Sequence, residues 1–239
     1  MHYYFITGTS SGIGHALTLQ ILEQKNTFVT GFSRRCTIED ERYKHITVNL
    51  SNLNDVKQIT FETGNDAESV TLINNAGQLG DLTFVGKQNP DEIIHTYNVN
   101  IIAPSILSNT FMKTFWDTKT QKVILNVSSG AGRHTIESWS TYCSSKAAMD
   151  MLSKVINEEQ NIAGLPYPFY IFSLAPGIID TAMQTYIRSV GQENFPDISR
   201  FIKLKENNLL DSPDDAAKRI LRIVSNPKKY QNVILDESV

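Results

Sequence analysis

The chain has 239 residues, 41% hydrophobic and 20% charged, with 22 Lys and Arg against 25 Asp and Glu and a net charge of −3. That length holds one large domain with a sizeable core, and the balanced charge offers no field for a phosphate backbone, so no nucleic-acid partner is expected. No run of about 18 apolar residues is present to span a membrane, the two cysteines, Cys36 and Cys143, support neither a disulfide framework nor a metal site, and the first residues carry no export signal, so the expected location is cytoplasmic.

In chain order, residues 3–7 read as a strand, followed by a helix over 16–24 with Leu17 and Ile21 four apart. Strand-like runs cover 27–33 and 45–50, a short helix 56–62, and a nearly all-apolar strand 70–73. Asn89-Pro90 announces a long helix over 91–115. A strand at 123–127, a helix at 140–159, a strand at 169–174, a helix at 213–224 and a last strand at 232–235 complete the pattern. Continuous rather than alternating apolar runs indicate strands buried on both faces. Their alternation with helices indicates an α/β fold with a parallel sheet and right-handed crossovers. No repeat or linker divides residues 1–239, so a single domain is expected. Residues 184–212 read as an insertion beside a site, a substrate lid, and Gly191 and its polar neighbours offer it little to pack, so it is expected to be mobile.

Between the first strand and the first helix lies Thr7-Gly8-Thr9-Ser10-Ser11-Gly12-Ile13-Gly14. Glycines let a backbone turn tightly against a ligand, and the helix that follows offers free N–H groups and the positive end of its dipole to a pyrophosphate. A plain glycine-rich turn is the bland alternative.

The glycine spacing, Asn74-Asn75-Ala76-Gly77 after a buried strand, Asn100 in the long helix, Ser129 followed by Tyr142 and Lys146, and Pro176-Gly177-Ile178-Ile179-Asp180-Thr181 occur in order along the chain. Together they resemble the short-chain dehydrogenase/reductase family. The resemblance implies a doubly wound Rossmann-type domain with a seven-stranded parallel sheet and helices on both faces. It also implies reduction of a carbonyl by hydride transfer, with Ser129, Tyr142, Lys146 and Asn100 as catalytic residues. Tyr142 and Lys146, four apart, share a helix face. A nearby ammonium favours the phenolate, so Lys146 is expected to lower the pKa of Tyr142 and, by the resemblance, to hold the cofactor ribose. Ser129 is expected to hydrogen-bond the carbonyl oxygen as charge develops; the adjacent Ser128 is a rival whose spacing to Tyr142 matches the family less well. Pro104, lacking an N–H, denies the Asn100 carbonyl its helical partner. That carbonyl holds a relay water in the family reading; a simple kink is the alternative.

The cofactor set implied by the resemblance is Gly8, Ser10, Ser11, Gly12, Ile13, Gly14, Ser33, Arg34, Arg35, Asn49, Leu50, Asn75, Ala76, Gly77, Tyr142, Lys146, Pro176, Gly177, Ile179 and Thr181. The second strand ends Gly31-Phe32-Ser33-Arg34-Arg35 with no acidic residue before Glu39. An acidic residue there would bind a ribose 2′-hydroxyl and repel a phosphate. Arg34 or Arg35 instead suits a 2′-phosphate, so NADP(H) is preferred over NAD(H). Trp139, Ile178, Met183 and Tyr186 are candidates for the substrate wall, with Trp139 and Met183 equally readable as core. Cys143 reads as a small buried hydrophobe. The stretches 139–147 and 183–188 resemble bacterial benzil reductases and the sepiapterin reductase group, which implies an aromatic or vicinal diketone as the small-molecule substrate. The resemblance also implies a homodimer or homotetramer through the two long helices. A non-catalytic NADPH-binding redox sensor on the same fold is the alternative function.

Overall fold

The computed structural model describes all 239 residues. Strands β1 (His2–Thr7), β2 (Thr27–Ser33), β3 (Tyr43–Thr47), β4 (Ser69–Asn74), β5 (Gln121–Val127), β6 (Phe169–Leu174) and β7 (Ile234–Leu235) form one sheet in the order β3-β2-β1-β4-β5-β6-β7. Every neighbouring pair is parallel. The strand order reverses between β1 and β4, which opens a crevice at the carboxyl ends of the strands.

Helices α1 (Gly12–Leu22), α2 (Leu53–Val56), α3 (Pro90–Tyr97), α4 (Ala103–Phe115), α5 (Ser140–Ala163), α6 (Ala182–Ser189), α7 (Ile198–Glu206) and α8 (Pro213–Ser225) complete the chain. Alternate strand residues feed two cores. Tyr4, Ile6, Ile73, Val123, Leu125 and Leu174 pack under α1 and α8 through Leu17, Ile21, Ile220 and Ile223. Phe5, Val70, Leu72, Ile124 and Ile171 pack under α4 and α5 through Leu107, Phe111 and Ile156. The sheet is thus covered on both faces, as the continuous apolar strands require. Lys122, fully buried in β5, donates from Nζ to the carbonyls of Phe115 at 3.2 Å and Thr118 at 2.8 Å. It thereby caps the C-terminal end of α4 with a positive charge.

Three expectations are corrected. The short helix lies at Leu53–Val56, where Asn52 accepts from the Asn54 N–H, and not over 56–62. There Ile59 and Phe61 are buried while Gln58, Thr60 and Glu62 are exposed, a period of two that suits extended chain. The third strand is centred earlier than 45–50. The long helix over 91–115 is interrupted by a π segment, Asn98–Ile102, just before Pro104. A missing N–H at Pro104 breaks the regular ladder, and a widened turn absorbs the defect. Residues 184–212, the expected substrate lid, are anchored at a few buried side chains and exposed over most of their length. They form α6 and α7, and Ile187, Phe195, Ile198 and Phe201 join Trp139 and Tyr142 in a third apolar cluster above the sheet.

Phe111 meets the rings of Phe5, Phe61, Phe115 and Phe169 at centroid distances of 6.1, 5.3, 5.0 and 6.2 Å. Phe111→Ala is expected to cost about 3–5 kcal/mol, read from denaturant unfolding midpoints; a loss under about 1 kcal/mol would mean the cluster closes over the gap.

Candidate active site

The loops leaving β1, β2, β4, β5 and β6 converge on one cleft of about 1210 Å³. At one end the turn after β1 approaches the loop after β4 closely. A Cβ on Gly14 would collide with the Gly8 carbonyl and the Asn75 amide. Asn75 Nδ2 donates to the Thr7 carbonyl at 2.9 Å, and the backbone N–H groups of Asn75 and Ala76 both donate to Thr7 Oγ1 at 3.0 Å. The N-terminal end of α1 is left open. Its N-cap Ser11 makes no side-chain cap and its first turn carries no acid, so free N–H groups and the helix dipole face the cleft without competition.

At the end of β2, Ser33 Oγ donates to the Arg35 carbonyl at 2.8 Å and lies 3.0 Å from His45 Nε2, which fixes the course of the loop. Arg34 is exposed and lines the cleft; Arg35 does not line it. A turn this tight points consecutive side chains in different directions, so only one of the two arginines faces the site. The open helix terminus and the closely approached glycine turn fit a dinucleotide, with the Arg34 guanidinium beside them.

Ser10, Ser11, Gly12, Ile13, Ser33, Asn49, Leu50, Asn75, Ala76, Gly77, Pro176, Gly177, Ile178, Ile179 and Thr181 line the same cleft, with Ser129, Tyr142, Lys146, Trp139 and Met183. Three further candidates do not. Gly14 lies behind the turn, where it allows α1 to dock. Asn100 is buried and spends its amide on structure: Oδ1 accepts from the Gln78 N–H at 2.9 Å, and Nδ2 donates to the Gln78 carbonyl at 2.8 Å and to Ser145 Oγ at 3.0 Å. Tyr186 is corrected from the substrate wall to the outside. Helix α6 turns Met183, Gln184 and Ile187 toward the cleft, which leaves Tyr186 half-exposed beside Asp81 and Leu82. Asn74, in the same motif as Asn75, is also structural, donating to Asn126 Oδ1 at 2.7 Å and Ser108 Oγ at 3.2 Å.

Helix α5 brings Tyr142 and Lys146 together, with Lys146 Nζ 5.6 Å from the phenol ring centroid. Lys146 Nζ donates to the Val127 carbonyl at 2.8 Å. The two serines after β5 separate clearly. Ser128 is buried and donates to the Lys146 carbonyl at 3.4 Å. Ser129 accepts from the Ala131 N–H at 3.2 Å and also meets the Tyr142 phenol. The indole of Trp139 stands edge-on to Tyr142, with ring centroids 5.7 Å apart.

Burial governs the ionisation of this pair. It pushes Tyr142 up to about 12 despite a hydrogen bond with Ser129 that works the other way. Burial also pushes Lys146 down to about 8, opposed by the nearby Asp150. The expected lowering of Tyr142 by Lys146 is therefore not seen in the cofactor-free protein. Desolvation penalises the charged form of each group and is the largest influence on both. Tyr142 is a phenol holding its proton, the state a proton donor needs. Sequence reasoning missed Gln78, Gln184 and Asp150. Gln184 carried a signal in its spacing of three from Ile187, and Asp150 in its spacing of four from Lys146.

The short chain dehydrogenase family model matches residues 3–191. The benzil reductase ((S)-benzoin forming) of Bacillus subtilis (strain 168) is 39% identical over 94% of this chain and 93% of that protein. The sepiapterin reductase of Xenopus tropicalis is 33% identical over 66% of this chain and 59% of that protein. Among solved structures, a short chain dehydrogenase/reductase from Saccharomyces cerevisiae superposes with a TM-score of 0.87, covering 100% of this chain and 97% of that one at 23% identity.

The Lys146 shift makes stability depend on pH. The ammonium loses its proton near 8 in the folded protein, against an ordinary value of 10.5. Between those values the unfolded chain binds more protons, so this contribution to stability rises with pH across the window. The unfolding free energy of the cofactor-free protein is expected to gain on that of Lys146→Met as pH climbs through it. A difference independent of pH would contradict a desolvated ammonium.

Proposed function

The chain belongs to the short-chain dehydrogenase family, and from that premise we propose that it is an NADPH-dependent reductase of aromatic vicinal diketones. An oxidoreductase of this family binds a nicotinamide cofactor; the preference for the phosphorylated form and the substrate class are the present reading. The observation that carries it is the meeting of Ser129, Tyr142 and Lys146 in one cleft with an open α1 terminus and with Arg34, which makes no ion pair within the chain.

The glycine turn and the α1 terminus would hold the pyrophosphate through backbone N–H groups, with Arg34 on the 2′-phosphate and Asn75 to Gly77 against the adenosine side. When bound, the reduced nicotinamide supplies a hydride. The chain's own residues do the rest. Ser129 donates a hydrogen bond to the substrate carbonyl oxygen as negative charge builds there. Tyr142 gives that oxygen its hydroxyl proton. Lys146 would hold ribose hydroxyls of the cofactor, and its ammonium stabilises the phenolate left on Tyr142. The Asn100 carbonyl, denied its i+4 partner by Pro104, is the acceptor for a relay water toward Lys146. Trp139, Ile178, Met183 and Ile187 offer a flat, uncharged wall suited to an aromatic diketone. The similarity to a benzil reductase supports this substrate class. On the outer face of α5, Met151, Val155 and Ile162 are exposed, which supports assembly as a homodimer or homotetramer through this helix.

Arg34→Asp places a negative charge where the 2′-phosphate would sit. It is expected to weaken NADPH binding by about 2–4 kcal/mol and to leave NADH little changed, as read from fluorescence titrations with both cofactors. Equal losses for both would remove Arg34 as the phosphate reader. Tyr142→Phe retains the ring and loses the proton. NADPH is expected to bind as before while benzil turnover falls by about 10²–10⁴; near-normal turnover would end the proposed role of Tyr142.

A further inference from the structure

One turn beyond Lys146 on α5 lies a carboxylate that the proposed chemistry does not use. Asp150 Oδ1 accepts from Ser173 Oγ on β6 at 2.6 Å, and Oδ2 accepts from Arg133 Nε at 3.1 Å. The Asp150 side chain is 10% exposed and that of Arg133 27%. Arg133 also donates from Nη2 to the Leu235 carbonyl of β7 at 2.9 Å. The ion pair therefore ties together β6, β7, α5 and the loop after β5.

That loop is the one that carries Ser129. Between Ser129 and Arg133 it presses Gly132 onto the helix, where a Cβ would stand 2.8 Å from the Lys146 carbonyl carbon and 2.9 Å from the Ala147 nitrogen. Such contact is possible only without a side chain, and Arg133 fastens the loop immediately beyond it.

The electrostatics point the same way. Around Lys146, its own helix supplies Tyr142 and Asp150, and the loop after β5 supplies Arg133 behind Asp150. Asp236, after β7, faces Arg133 in turn. The remaining neighbours are uncharged: Gly77 and the Asn100 amide oxygen from one side, and the Val127 carbonyl from another. Asp150 is thus the nearest negative charge available to an ammonium in a dry site.

We infer that Asp150 and Arg133 are a positioning pair for the active site: Asp150 keeps Lys146 an ammonium, and Arg133 locks the Ser129 loop to the helix bearing Tyr142 and Lys146. The inference rests on the oxidoreductase reading of that site. Arg133 lines the cleft, but the polar contacts of the pair go to each other, to Ser173 and to Leu235 rather than to Ser129, Tyr142 or Lys146. Both act through those three. Opposite charges at the two positions also predict opposite effects on Lys146, which no loosening of the packing would produce.

The test follows Lys146 titration in the cofactor-free, full-length protein, as the pH dependence of the unfolding free-energy difference between each protein and its Lys146→Met counterpart. Asp150→Asn is expected to move the midpoint down by about one pH unit. Arg133→Met, which leaves the carboxylate unneutralised, is expected to move it up. No movement, or movement in the same direction in both, would overturn the proposal. Should Asp150→Asn not fold, the doubly neutral Asp150→Asn, Arg133→Met protein replaces it, with a midpoint expected below that of wild type and an unmoved or higher one overturning the idea. A second readout is the dissociation constant for NADPH from neutral to alkaline pH, whose rise is expected to begin at lower pH in Asp150→Asn than in wild type. If wild type fails to bind NADPH while the opposite midpoint shifts persist, the cofactor reading falls and the positioning pair stands.

Discussion

An ammonium removed from water loses solvation that a protein interior replaces only with correctly placed dipoles and charges. Lys146 is in that position at the carboxyl end of β5. The Val127 carbonyl takes one of its donors, Asp150 supplies a counter-charge, and Gly77 leaves room for the amine beside Asn100. Much of the surrounding architecture answers to this requirement. The π segment brings Asn100 to the Gln78 backbone, which holds the loop after β4 close to α5 through Ser145. Tyr142 experiences the same dry surroundings with the opposite consequence, because burial keeps the phenol neutral. One desolvated setting thus holds a protonated phenol and a poised cation four residues apart on one helix.

The cleft divides along its length by the kind of force available. At the β2 end the binding groups are polar and largely backbone: an open helix terminus, a glycine turn and one free guanidinium. Beside Tyr142, Trp139 is wedged among Tyr142, Phe195 and Phe201, an aromatic wall in a cleft that Arg133, Arg200 and Asp236 also line. Ion pairs from Asp180 to Arg188 at 3.7 Å and to Lys205 at 2.5 Å tie the segment after β6 to α6 and α7. The segment read as a substrate lid is thus anchored to the rest of the fold through aromatic side chains.

Most of the fold was legible because buried parallel strands write themselves as unbroken apolar runs, and the helix spacing of Tyr142 and Lys146 follows from local geometry alone. What stayed hidden depended on contacts distant in sequence. Ile59 and Phe61 looked helical until the core that buries them was known. The partnership of Asn100 with Gln78 requires a π turn, which the Pro104 position hints at without specifying. Arg34 and Arg35 are adjacent and chemically alike, and only the direction of the loop after β2 separates them. Tyr186 was misjudged because the rotation of α6 is set by Ile187 seating in the third cluster. Asp150 was in view at a spacing of four from Lys146, but its partners Arg133 and Ser173 come from two other segments.

The most direct measurement is kcat/KM with NADPH for four carbonyl classes under one set of conditions: benzil, a pteridine diketone, a sugar and an acyl thioester. An apolar, aromatic wall beside Tyr142, with Arg188 and Lys205 already engaged by Asp180, leads to the expectation that the two diketones react far more efficiently than the others and that each is reduced at one carbonyl. A higher kcat/KM for the sugar or the acyl thioester would contradict the diketone reading, and no NADPH oxidation with any of the four would contradict carbonyl reduction itself.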